Sequence, residues 1–95
     1  MTRLPRVEVD LSNVTSSDEL HSLLSHALGF PGWYGCNWDA FWDAITALVP
    51  MPMQLKLLGW ESFSWRLPSD ARLLKECLDD MQAQYPEDAS DVEFG

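Results

Sequence analysis

The sequence predicts a small α/β fold in which three parallel strands form one sheet packed by helices. Three observations predict it. Val7, Val9 and Leu11 alternate with Glu8 and Asp10, the two-residue period of a half-exposed strand. Further along, apolar residues recur at three- and four-residue intervals, the period of helices with one buried face. The two patterns then follow one another along the chain, and strands separated by helices pair in parallel through right-handed crossovers.

After the first strand, Ser16 or Ser17 can cap a helix, and Asp18 and Glu19 suit the positive end of its dipole. Leu20, Leu23, Leu24, Ala27 and Leu28 form its apolar stripe, and Gly29 is placed for a left-handed C-terminal cap. Phe30, Trp33 and Tyr34 among Pro31, Gly32 and Gly35 predict a packed loop rather than a floppy linker. Asn37 caps a second helix running to about Val49, which Pro50 and Pro52 terminate. Met53, Leu55, Leu57 and Leu58 read as the second strand, with Lys56 pointing outward. The stretch between Gly59 and Pro68, carrying Trp60, Phe63 and Trp65, reads as irregular or as a single turn. A last helix starts at Asp70, carries Leu73, Leu74, Cys77, Leu78 and Met81 on one face, and ends near Tyr85 and Pro86. For Asp91-Val92-Glu93-Phe94 a third strand and a short acidic tail both stay open.

At 95 residues the chain is expected to form one domain over residues 1–95. Its 46% hydrophobic and 12% aromatic content is that of a folded protein, not of a disordered acidic segment. A net charge of -9 repels nucleic acid and anionic membrane and attracts basic partners, which argues against direct RNA or DNA binding. The charge is also uneven: no Lys or Arg lies between Arg6 and Lys56, nor after Lys75. The start Met-Thr-Arg-Leu-Pro-Arg is not followed by an apolar run of signal-peptide length, so a cytoplasmic location is expected.

Cys36 and Cys77 lack the spacing of a disulfide framework or a zinc site and read as thiols, and no cofactor is expected. Cys36 precedes a helix N-terminus, where a thiolate would be stabilised, yet no base for a nucleophile is identifiable. Cys77 falls on an apolar stripe and reads as core. His21 and His26 have no nucleophilic partner nearby and read as surface or helix-end residues. Glu87 to Asp91 lacks the glycine and terminal glutamate of a calcium loop and reads as a solvated turn. Trp60 and Trp65 read as core filler, with a second contact surface as the alternative.

The second predicted helix holds the candidate site. At about 100° per residue, Trp38, Phe41, Ile45 and Leu48 fall on one side. Asp39, Asp43 and Thr46 fall together on the adjoining face at i, i+4 and i+7, with Trp42 on the border. An ordinary solvated face would account for the same stripe, since Asn37 caps and Asp39 suits the helix dipole. Against that, like charges at i, i+4 repel, and no Lys or Arg stands three or four residues away to relieve them.

The run Pro31-Gly32-Trp33-Tyr34-Gly35-Cys36-Asn37-Trp38-Asp39-Ala40-Phe41-Trp42-Asp43 resembles the signature of the barstar family, and the likeness extends more loosely through the order of strands and helices. In that family this loop and helix enter a ribonuclease active site, where their carboxylates meet the Arg, Lys and His that hold RNA phosphate. The resemblance implies Asp43 as principal anchor, Asp39 as a second carboxylate and Thr46 as a hydrogen-bonding neighbour. Trp33 would replace the family's contact tyrosine, with Gly35, Asn37, Trp38 and Trp42 at or beside the contact. A carboxylate of the last helix also takes part, and its apolar alignment selects Asp80. The implied function is stoichiometric 1:1 inhibition of a basic, secreted-type ribonuclease or related toxin, as an immunity protein would. A carboxylate matches a phosphate because it accepts the same paired bonds from an arginine fork.

The segment departs from the family in three places: Cys36 stands for an acid, Trp38 for a smaller apolar residue, and Leu48 for a contact tryptophan. A barstar-fold module for some other basic protein therefore stays open. A hydrolase using Asp39 and Asp43 as acid and base fits poorly, because a stripe on an exposed helix offers no pocket to separate their pKa values.

Overall fold

The computed structural model describes residues 3–95; Met1 and Thr2, the first two residues of the expected domain and of the Met-Thr-Arg start, lie outside the described residues. Strand β1 (Arg6–Asp10) pairs in parallel with β2 (Gln54–Leu58), and β2 pairs in parallel with β3 (Asp91–Phe94), giving one open sheet with β2 in the middle. The acidic C-terminal segment is therefore a strand. Its register explains why: Val92 stands beside Leu55 and Phe94 beside Leu57, so its two apolar residues join rows that Val7 and Val9 complete. Val9, Leu55 and Leu57 are buried on that face. The opposite face carries Glu8, Lys56 and Glu93 side by side, with Lys56 and Glu93 paired at 3.9 Å.

Between β1 and β2 run helices α1 (Ser17–Leu28) and α2 (Trp38–Asp43), the latter continued by a π-helical turn over Ala44–Leu48. Ser16 caps α1 by accepting from the Glu19 amide, and Gly29 closes it in the left-handed region at φ 73°. Between β2 and β3 run α3 (Trp60–Arg66) and α4 (Pro68–Gln84). Leu20, Leu24, Phe41, Ile45, Phe63, Leu74 and Met81 fill the core with the sheet's apolar rows.

Several elements differ from the sequence-based expectation. The second helix does not run as a regular α-helix to Val49. From Ala44 it widens, and the Val49 amide donates to the Ala44 carbonyl five residues back at 3.1 Å. The wider turn rotates Leu48 off the core stripe, leaving it 43% exposed. The stretch after Gly59 is a two-turn helix. Gly59, at φ 69°, starts it where a Cβ would lie 2.7 Å from Ser12 Cβ, and Phe63 plugs its inner face. The last helix begins two residues earlier than expected because Pro68, whose fixed φ suits the first helical position, opens it.

Three side chains are also placed differently. Trp65 is 82% exposed rather than core, whereas Trp60 packs against Phe63 and Phe94. His21, expected at the surface, is 1% exposed because the Tyr34 hydroxyl supplies the polar partner that lets an imidazole be buried. Cys77 is half-buried rather than in the core. Among the described residues no helix is long and apolar enough to cross a membrane.

Candidate functional site

Asn37 starts α2 by accepting from the Ala40 amide through Oδ1 at 2.7 Å, while its Nδ2 donates to the Gly35 carbonyl at 3.1 Å. That second bond requires the close approach of Gly35, where a Cβ would sit 3.2 Å from Asn37 Nδ2. Cys36, between them, takes the left-handed conformation at φ 51°, a costly one for a residue with a side chain. The sharp turn before the helix is thus built from Gly35, Cys36 and Asn37 together. Trp33, earlier in the same loop, is 73% exposed.

From this entry the first turns of α2 lie against α4. Trp38, Asp39, Trp42 and Asp43 of α2 and Leu73, Cys77, Asp80 and Gln84 of α4 line a shallow depression of about 580 Å³. The three carboxylates chosen from sequence, Asp39, Asp43 and Asp80, therefore share one groove. The Cys77 thiol in its floor registers the field: burial pushes its pKa up to about 11, with Asp80, Glu76 and Asp39 adding to the rise. Among the described residues no ion pair involves the three aspartates; the pairs formed are Arg6–Glu8, Lys56–Glu93, Arg72–Glu76 and Lys75–Asp79. Arg3 and Arg66 are spent on backbone carbonyls elsewhere.

Thr46 is not brought into this groove. The π turn carries it to a neighbouring depression lined by Leu48, Pro50, Arg3 and Asp88, and its hydroxyl donates to the Trp42 carbonyl at 2.6 Å. Trp33, Gly35 and Asn37 lie before the groove and do not line it. Trp42 holds the border position expected of it, half-buried and 6.4 Å from the Tyr85 ring.

Two residues that touch the aromatic side chains at the entry of α2 are not among the site residues read from sequence. Asp70, in the first turn of α4, accepts from Trp38 Nε1 at 3.1 Å and from the Ser17 hydroxyl at 3.3 Å. His21 shares a 2.6 Å hydrogen bond with the Tyr34 hydroxyl. An aspartate in a first helical turn looks like ordinary dipole compensation, and a partner 32 residues away leaves no local signal. For His21 the available signal was its place beside Leu20 and Leu24 on the inner face of α1.

These features define a small α/β protein that presents unpaired carboxylates and indoles on the outside of a helix pair. The family described as Barstar (barnase inhibitor) matches residues 4–94, and the chain belongs to the barstar family, a family of inhibitor proteins rather than enzymes. It is also similar to the protein named "Putative ribonuclease inhibitor YrdF" of Bacillus subtilis (strain 168), with 30% identity over 83 residues, covering 87% of this chain and 91% of that one.

Proposed function

We propose that this chain inhibits a basic ribonuclease by filling its active site with the groove between α2 and α4, one inhibitor to one enzyme. The observation that supports this reading most is the convergence of Asp39, Asp43 and Asp80 on one groove with no cation among the described residues paired to them. Leaving three carboxylates unneutralised costs the free protein some repulsion, and a cleft lined with Arg and Lys removes that cost on binding. Asp43 is the principal anchor and Asp39 and Asp80 flank it. Trp38 and Trp42 form the apolar walls, and Trp33 extends the contact from the loop. Asn37 and Gly35 set the helix entry. Thr46, with its hydroxyl donated to the helix backbone, joins the contact at its edge from the neighbouring depression. The whole chain acts as one domain inside the cell that makes the enzyme, in the manner of an immunity protein.

The test is titration of RNA cleavage by a barnase-type ribonuclease with the purified protein. Activity is expected to reach zero near one molar equivalent. Asp43→Ala is expected to weaken inhibition by about 3–5 kcal/mol, because truncation leaves the enzyme's cations buried and unpaired. Far-ultraviolet circular dichroism of the variant should be unchanged, since the Asp43 side chain is exposed. Equal inhibition by variant and wild type would remove Asp43 from the site. Undiminished cleavage with every basic ribonuclease tried would favour a different basic partner for the same face.

A further inference from the structure

The contacts that fix the start of α2 close into a ring anchored twice on α1. On one side His21, 1% exposed, shares its Nδ1 hydrogen bond of 2.6 Å with the Tyr34 hydroxyl, and its ring lies 4.6 Å from the Trp38 ring, centroid to centroid. The Tyr34 hydroxyl in turn reaches the Asn37 carbonyl at 3.4 Å, where the helix begins. On the other side the Trp38 indole donates to Asp70 of α4, which also accepts from Ser17, one turn before His21 on α1. Trp38 is thus gripped by a carboxylate at its nitrogen and by an imidazole against its face. Asp39 follows it directly in the chain, and Asp43 stands one turn further on. Of the groups in the ring, His21 is the one whose ordinary pKa lies near neutrality.

We propose that His21 is a positioning residue for the acidic groove: as a neutral imidazole it holds Tyr34 and Trp38 where Asp39 and Asp43 meet a partner. Taking up a proton releases that hold, so the inhibitor weakens in acid. The last step rests on the ribonuclease-inhibitor reading; the hold itself does not.

A neutral imidazole offers one donor and one acceptor, and the protonated ring offers two donors. The Tyr34 hydroxyl has one proton, spent on the Asn37 carbonyl, so neutral His21 donates to it through Nδ1 and keeps Nε2 unprotonated. The proton taken up in acid adds at Nε2 and sets a charge between Tyr34 and Trp38 with little water. The ionisable groups that face His21 are Asp18 on its own helix, Tyr34 in the loop and Asp70 on α4, with Cys36 and Cys77 beside Tyr34 in turn, while α2 contributes the uncharged indole of Trp38. Burial pushes the imidazole's pKa below its ordinary value, and the charges of Asp70 and Asp18 oppose that fall. Asp70 is also the acceptor of the Trp38 indole, so a charge on His21 competes for the same carboxylate.

The experiment has two arms on the full chain. In the first, NMR follows the His21 ring, the Trp38 indole N–H and the amides of residues 34–43 as the pH is lowered from 8. The indole and amide signals are expected to move with the same midpoint as His21, below about 6.5. In the second, inhibition constants against one barnase-type ribonuclease are compared for wild type and His21→Asn, which keeps a hydrogen-bonding end near the Nδ1 position but cannot titrate. The wild-type constant, divided by that of the variant, is expected to worsen by up to tenfold per pH unit below the His21 midpoint. This ratio cancels the enzyme's own pH dependence. A ratio independent of pH, or residues 34–43 unmoved while His21 titrates, would overturn the proposal. Absence of inhibition by wild type at every pH would instead count against the ribonuclease reading, and the NMR arm alone then decides whether His21 holds the groove.

Discussion

Arg3 carries more of the architecture than its place at the chain's start suggests. Its Nε donates to the Met51 carbonyl at 2.7 Å, and its two terminal nitrogens donate to the carbonyls of Pro52, Glu87, Asp88 and Ala89 at 3.0–3.1 Å. These carbonyls belong to the lead-in of β2 and to the turn before β3. One planar fork therefore binds the approaches to all three strands, a task that a lysine's compact ammonium cannot perform. Ser90, buried beside it, donates to the same Pro52 carbonyl at 2.6 Å. Removing the fork leaves partly buried carbonyls without partners, at about 1–3 kcal/mol for each one that water does not reach. Arg3→Ala is expected to lower unfolding free energy by about 2–4 kcal/mol in urea denaturation, with inhibition by the native fraction retained. A loss under ~0.5 kcal/mol, the range of ordinary surface substitutions, would mean that water replaces the guanidinium at every carbonyl.

The elements legible in the sequence were those whose own periodicity decides their state. Val7, Val9 and Leu11 alternate, and Leu20, Leu24 and Leu28 recur each turn, so β1 and α1 follow from local pattern alone. Helical spacing likewise sets Asp39 and Asp43 on one stripe, whereas Asp80 is suggested only by the barstar resemblance together with the apolar alignment of α4. What stayed hidden depends on contacts between segments far apart in the chain. The π turn is one case: its five-residue bond and the Thr46 hydroxyl on the Trp42 carbonyl have no signature in the apolar spacing, and they move both Thr46 and Leu48 off their predicted faces. Helix α3 is another, because glycine before it and proline after it mimic the ends of a loop. The structure shows why glycine is required there: φ is 69°, and any Cβ would meet Ser12 Cβ at 2.7 Å and its backbone nitrogen at 2.8 Å. Ser12 cannot retreat, since the carbonyls of Leu11 and Ser12 are both held by Arg66. Gly59→Ala should accordingly cost about 2–4 kcal/mol, combining left-handed strain with overpacking against backbone. Thermal unfolding measures it, and a variant as stable as wild type would show that the β2–α3 corner can shift away from Ser12.

At the scale of the whole molecule the same negative charge acts on folding and, under the proposed inhibition, on binding with opposite signs. The net charge of -9 is confined to a body of 34 × 27 × 20 Å, and among the described residues four of the fifteen acids sit in ion pairs. Repulsion among the rest works against the compact state, while under the proposed inhibition their field would draw a basic partner toward the groove. Salt separates the two effects, because the Debye length is about 10 Å at 0.1 M, shorter than any dimension of the molecule. Screening first removes repulsion between carboxylates on different faces. Adding sodium chloride from low to physiological concentration is therefore expected to raise the unfolding midpoint, by on the order of 1 kcal/mol or about 4–8 °C for a chain of this size. The four ion pairs weaken under the same screening, but exposed pairs are each worth at most about 1 kcal/mol and they are outnumbered. Over the same range the association rate with a basic ribonuclease should fall by tenfold or more as long-range attraction is lost, and the dissociation rate should change far less, since the groove's contacts are short and shielded by the partner. Stopped-flow mixing and thermal melts at matched salt measure the pair of trends. A stability that falls with salt would mean that the ion pairs outweigh the self-repulsion, and that the acidic surface is balanced for folding rather than held in reserve for a basic partner.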